Sequence, residues 1–192
     1  NSGATLTVDA GKALTVSGDT DNSGTIIVKA SASGIGSLLD NGTITGAGSF
    51  QMEQYITGSG GATPDGLFYY VSSPTASATS NVYNAAGSDK LWNADETTQT
   101  YPEITNNSTS LGVAEGYVAR VGVTGIRTFT GGKFNTGNLS ASGLTRTGTT
   151  ETNRGYNLIG NPYPSTLNWF TTSKTDLETT MYYRTHNGST MV

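Results

Sequence analysis

The sequence contains no cysteine. That absence excludes disulfide bridges, thiolate zinc clusters and thiol nucleophiles together. Its one histidine, His186, sits beside Asn187-Gly188, and no Gly-x-Ser-x-Gly elbow accompanies it. A Ser-His-Asp triad therefore has no framework, and His186 reads as a turn residue. Charged residues make up only 12% of the chain, about half the usual share. A net charge of -4 gives no electrostatic footprint for nucleic acid or an anionic membrane. No stretch approaches the roughly 20 apolar residues that span a bilayer. Neither a signal peptide nor a starting Met is visible, so the chain reads as a mature fragment of a longer protein.

Gly, Ser, Thr and Asn fill about half of the 192 residues. Thr favours strands because its branched Cβ fits a pleated surface. Gly and Asn favour turns because they tolerate positive φ. Strong helix formers are sparse. Low charge with low hydrophobicity also fits disorder, but aromatics reach 9% and the apolar residues are patterned. The expectation is an all-β fold of many short strands.

The chain divides by composition. Residues 1–56 hold two of the 17 aromatics, Phe50 and Tyr55, and the other 15 follow residue 60. Thr57-Gly58-Ser59-Gly60-Gly61-Ala62-Thr63-Pro64 reads as the hinge between domains at 1–56 and 57–192. The first domain repeats itself. Leu6-Thr7-Val8 recurs as Leu14-Thr15-Val16 and Ile26-Ile27-Val28, with echoes at Ser37-Leu38-Leu39 and Thr43-Ile44-Thr45. Successive segments follow at short intervals, each broken by a Gly- or Asn-containing turn. Leu6 and Val8 would face the same way. Such a pattern predicts a short parallel β-solenoid, a β-helix-like stack whose aligned Leu, Ile and Val build one core. An ordinary meander of hairpins is the alternative. The pattern is already running at Thr5, and an uncapped end is an open edge, so further rungs are expected before Asn1.

The second domain reads as an antiparallel β-sandwich-like unit. Strand candidates are Leu67–Val71, Tyr117–Val123, Ile126–Phe129 (placed as a hairpin partner after Gly125), Tyr156–Ile159 and Met181–Tyr183. Ser165 is placed to cap one helical turn over Ser165–Phe170. Pro162 and Pro164 force a corner after Asn161, and either Asn161-Pro162 or Tyr163-Pro164 is a candidate cis bond. Trp169 would pack back on that strand. The chain is expected to continue past Val192.

Candidate chemistry is thin. Asp19, Asp21 and Ser23 alternate like the opening of a calcium loop, with Gly24 for the bend, but Ala30 stands where the closing carboxylate belongs. Calcium is the one cofactor that the residues suggest, and a turn alone explains them. Asp95, Glu96, Glu103, Glu115 and Glu151 are the carboxylates that a glycosidase pair would draw on, yet they share no recognisable spacing. The aromatics carry more. Exposed Tyr and Trp faces stack on sugar rings, and buried ones serve a core. In Tyr69-Tyr70 and Tyr182-Tyr183 one ring should face in and one out. Tyr70, Trp92, Tyr163, Trp169 and Tyr183 are the candidate glycan contacts.

Several stretches carry a resemblance: the Leu-Thr-Val rungs, Gly46-Ala47-Gly48-Ser49-Phe50, Glu53-Gln54-Tyr55-Ile56, Tyr70-Val71-Ser72-Ser73-Pro74, Glu115-Gly116-Tyr117, and Phe129-Thr130-Gly131 with Asn135-Thr136-Gly137. The most specific is Gly155-Tyr156-Asn157-Leu158-Ile159-Gly160-Asn161-Pro162-Tyr163-Pro164-Ser165. In order and spacing the chain resembles large secreted or cell-surface proteins of the Bacteroidetes. The resemblance implies an adhesin-like protein exported by the type IX secretion route, located outside the cell or on its outer surface. It supplies no reaction and no catalytic residues. The reading is a non-catalytic structural or adhesive module of a bacterial surface protein. Its partners are neighbouring domains of the same protein, with glycans or other surface proteins as ligands. A carbohydrate-binding module using exposed Tyr and Trp is the alternative, and part of a polysaccharide-degrading enzyme a distant one.

Overall fold

The computed structural model describes residues 3–59, 67–85, 87–148 and 154–183. In chain order the elements are β1 (Thr5–Val8), β2 (Ala13–Val16), β3 (Thr20–Asp21), β4 (Thr25–Val28), β5 (Ala30–Ser31), β6 (Gly34–Ile35), β7 (Ser37–Asp40), β8 (Ile44–Thr45), β9 (Ser49–Ile56) and β10 (Tyr69–Val71). There follow α1 (Asn81–Asn84), β11 (Lys90–Asn93), β12 (Tyr117–Arg120), β13 (Gly125–Phe129) and a 3-10 turn at Trp169–Thr171. The fold is all-β.

The repeated strands that precede Thr57 pair in parallel, but not at the step that their sequence suggests. β1 pairs with β4 through Leu6↔Ile26, and β4 with β9 through Ile26↔Phe50. β2 pairs with β7 through Leu14↔Leu38, and β3 with β8 through Thr20↔Ile44. The partner of residue i is thus i+20 in the first pair and i+24 in the other three. Leu6 and Leu14, from successive short repeats, lie in different sheets. The short repeat separates strands that lie in different sheets, and the longer one brings like residues together. β-branched and aliphatic residues then line up inward: Val8, Val28 and Met52 are buried in one row, and Ile26 and Phe50 in the next. Each such side chain contributes roughly 1.5–3 kcal/mol by leaving water. Leu6 is the exception at 46% exposed, because β1 is the sheet edge and has a neighbour on one side only.

Turns hold the same offset. Asn22, buried, accepts from Gly24 N (2.9 Å) and donates Nδ2–H to Ser49 O (3.0 Å). Gly42 lies against Gly18, and a Cβ at Gly42 would come within 2.5 Å of the Gly18 backbone.

β9 has a second partner. Its other edge pairs antiparallel with β13, Met52 opposite Phe129 and Gln54 opposite Arg127. The order β1-β4-β9-β13 therefore carries one sheet across the compositional change near residue 57. One apolar cluster likewise joins Val28 and Phe50 to Val71, Tyr83, Leu91 and Phe134. Tyr83 of α1 is fully buried, edge-on to Phe129 at 5.6 Å, and donates its hydroxyl to Gln54 Oε1 at 2.5 Å. Burial raises its pKa well above the usual phenol value.

A three-stranded antiparallel sheet, β10-β12-β11, completes the framework. β12 and β13 do not form the expected hairpin. Gly122 N–H is taken by the buried Asp89 carboxylate (2.8 Å), and Val121 O accepts from Ser59 N (2.8 Å). Those bonds turn the chain from one sheet into the other. Residues 156–159 make a single bridge, Glu115↔Ile159, and 181–183 make no strand. The 3-10 turn is capped by Asn168, whose side chain accepts from Phe170 N, and not by Ser165. No cis peptide bond occurs among the described residues, so both proline bonds of the corner are trans.

The stacking of Gly42 on Gly18 yields a direct expectation. Gly42→Ala should cost about 1–3 kcal/mol by overpacking, whereas Gly18→Ala, which points into open space, should stay within about 0.5 kcal/mol. Urea denaturation of the two variants measures the difference.

Candidate functional site

Four of the five candidate carboxylates lie among the described residues, and each of the four is engaged separately. Asp95 closes its own turn, accepting from Thr97 Oγ1 (2.6 Å), Thr97 N (2.9 Å) and Thr98 N (3.3 Å). Hydrogen bonds from Thr97 and Thr98, the Thr97 hydroxyl first, hold its pKa below the usual range. Glu103 pairs with Lys90 at 2.6 Å. Glu115 accepts from the Tyr117 hydroxyl at 2.7 Å. Glu151 and His186 lie outside the described residues. Asp19 accepts from Thr43 Oγ1 (2.6 Å) and Thr43 N (2.8 Å); these bonds lower its pKa. Asp21 accepts from Thr45 Oγ1 at 3.4 Å. Both acids of the calcium candidate thus bond to threonines 24 residues downstream, Thr43 just before β8 and Thr45 within it, and Ser23 is exposed. Among the described residues no three His, Cys, Asp or Glu side chains converge as a metal site would require.

Two of the five candidate aromatics come together. Across β10-β12-β11, Tyr70 lies opposite Val118, and Val118 opposite Trp92. Opposed residues share a face of the sheet. The flanking rows, Tyr69–Ala119–Leu91 and Val71–Tyr117–Asn93, point inward, with Ala119, Leu91, Val71 and Tyr117 all buried. The Tyr70 row is therefore the outward one. Tyr70 is 41% exposed, and Val118 and Trp92 are half-buried. Phe68 packs against Trp92 with ring centroids 5.8 Å apart, and the Lys90–Glu103 ion pair lies on the same strand region. Two strand spacings set Tyr70 and Trp92 roughly 10 Å apart.

The remaining candidates stand elsewhere. Tyr163 donates its hydroxyl to Gly137 O (2.8 Å) and accepts from Leu139 N (3.2 Å), bracing the proline corner. Trp169 donates Nε1–H to Thr179 O (2.9 Å), and Lys174 Nζ sits 4.6 Å from its ring centroid. It packs on its own loop, and one ring face is occupied. Tyr182 and Tyr183 are both exposed, at 68% and 72%. With no strand to alternate them, neither turns inward.

Two features escape sequence reasoning. A cavity of about 610 Å³ runs beside β13, lined by Thr79, Asn81, Val82, Ile126, Arg127 and Thr128 among others. Its one acid, Asp89, is paired with Arg127 at 3.3 Å. The other is Glu96, buried, which accepts from Thr147 N (2.8 Å), Gly155 N (2.7 Å), Thr145 Oγ1 (2.8 Å) and Thr147 Oγ1 (3.0 Å). Backbone donors from Thr147 and Gly155 are the main cause that brings its pKa down to about 2. It fastens Thr145, Thr147 and Gly155 to the segment that follows β11.

The chain belongs to a family described as "Domain of unknown function (DUF8693)", whose model matches residues 1–192. No curated protein and no solved structure matches it.

The Glu96 carboxylate should leave a pH signature. Its folded pKa lies below the ordinary value, so its contribution is complete above about pH 4.5 and fades as pH falls toward about 2. Glu96→Gln removes the charge and turns an amide donor toward backbone N–H groups. The variant should be less stable at pH 7, and its deficit should shrink between pH 4.5 and pH 2. Chemical denaturation midpoints across that range measure this; a deficit constant with pH would exclude the charge as its source.

Proposed function

We propose that the chain is a non-catalytic structural or adhesive module of a bacterial cell-surface or secreted protein. It is built as a short parallel β-solenoid over residues 1–56, followed by an antiparallel β-sandwich-like half. The observation that carries the reading is the parallel pairing at a repeated i+24 offset, Leu14↔Leu38, Thr20↔Ile44 and Ile26↔Phe50. Stacked strands of this kind add length without needing a new core, as a stalk requires. Strand faces rich in Thr and low in charge, with turns closed by Asn22 and Asp40 rather than by ion pairs, suit a passive exterior. Neighbouring domains of the same protein are its natural partners. The engagement of Asp95, Glu96, Glu103 and Glu115 in separate bonding sets favours a supporting role over hydrolysis. The reading asks for no cofactor. No helix among the described residues is long and apolar enough to cross a membrane.

Antibodies raised against the chain should label intact cells of the source bacterium, and external protease should remove that label. Labelling that appears only after the cells are lysed would contradict the reading.

A further inference from the structure

We infer that the outward row Tyr70–Val118–Trp92 is a binding face for a short neutral oligosaccharide of two or three rings. The inference goes beyond the structural reading and does not rest on where the protein is located. It begins with the register. Tyr70 and Trp92 are fixed on one side of a three-stranded sheet by direct pairing to the same residue, Val118. A sheet holds such rings more firmly than a loop does, so a ligand pays little to order them. Two rings roughly 10 Å apart, Trp92 braced by Phe68 at 5.8 Å and Tyr70 41% exposed, carry the stacking surfaces with a small aliphatic floor between them.

Charge and area select the ligand. Lys90 and Glu103 beside Trp92 are closed on each other at 2.6 Å, and Arg120, opposite Lys90 on the same face, is engaged in a contact of its own, so the face keeps no free charge for an anionic polymer while still offering polar atoms to hydroxyls. Three short strands give a face of roughly 200 Å². That is about a quarter of the roughly 800 Å² that each partner gives to a stable protein interface. A second protein would find too little surface here. Two or three sugar rings need no more, because two of them stack a C–H face on Tyr70 and Trp92. At its end the face is bounded by Leu158, whose side chain lies against Gly116, which favours a short ligand.

The test is a glycan array probed with the purified chain, followed by calorimetric titration of the best neutral oligosaccharide. Binding by the native chain is expected. Tyr70→Ala and Trp92→Ala should each weaken it about tenfold, the loss of one stacked ring. Tyr70→Phe keeps the ring and should retain most of the affinity. Phe170→Ala, at an 89% exposed position off this sheet, should change nothing. Trp92 is half-buried, so a misfolded Trp92→Ala leaves Tyr70→Ala as the deciding variant. The inference is overturned if no neutral glycan binds, if only acidic glycans bind, or if binding survives Tyr70→Ala. It is equally overturned if the native chain self-associates and Tyr70→Ala abolishes that, which would make the face a protein contact.

Discussion

The structure depends on one constraint: the longer strands before Thr57 are held in parallel by strands distant in sequence, Leu14 by Leu38 and Ile26 by both Leu6 and Phe50. Parallel pairing at that distance places Val8, Val28 and Met52 in one row and Leu6, Ile26 and Phe50 in another. No single pass of the chain buries such residues alone. The turns must therefore close at matching lengths, and the tight approach of Gly42 to Gly18 and the bonds of Asn22 follow from it. The second half inherits the same frame through β9. Met52 has Val28 on one side and Phe129 on the other. Tyr83 is seated on Phe129 and bonded to Gln54, so α1 and the second sheet are positioned by the last strand of the stack.

With little charge available, polar side chains take over the long connections. Asp89 turns the chain at Gly122, Tyr163 braces the proline corner, and Glu96 gathers Thr145, Thr147 and Gly155. Buried carboxylates in these roles are stabilised by backbone N–H groups, which lose no side-chain entropy in donating. Among the described strands Tyr70 is the one exposed aromatic, and the other exposed aromatics lie on loops or in the 3-10 turn.

Much of this is legible in the residues. The all-β class follows from the abundance of Thr, Gly and Asn, and the repeated Leu-Thr-Val segments are strands. Their partners are not legible. Leu14 is as like Leu6 as Ile26 is, and the choice between them lies in turn geometry that sequence similarity does not encode. Strand runs in the second half hold where both faces find neighbours, as at Tyr117–Arg120, and fail at Met181–Tyr183, which is exposed throughout. Tyr70 and Trp92 stand out singly as candidate contacts, but only pairing to Val118 relates them. Glu96 reads in sequence as one more surface acid, because its donor Thr147 lies 51 residues downstream. Trp169 sits in the expected loop but against a different neighbour, since the Lys174 contact arises from a turn with no sequence signature.

The i+24 offset is open to a direct covalent test, because the chain has no cysteine of its own. Thr15 and Leu39 are exposed and opposed in register, at the separation of neighbouring strands that a disulfide can bridge. Thr7 and Thr15 are equivalent positions of the short sequence repeat and lie in different sheets. The double variant Thr15→Cys with Leu39→Cys should oxidise to an intramolecular disulfide, read by mass spectrometry of the folded protein, while Thr7→Cys with Thr15→Cys should remain reduced. A disulfide between positions 7 and 15, with 15 and 39 left reduced, would contradict the stacking on which the account rests.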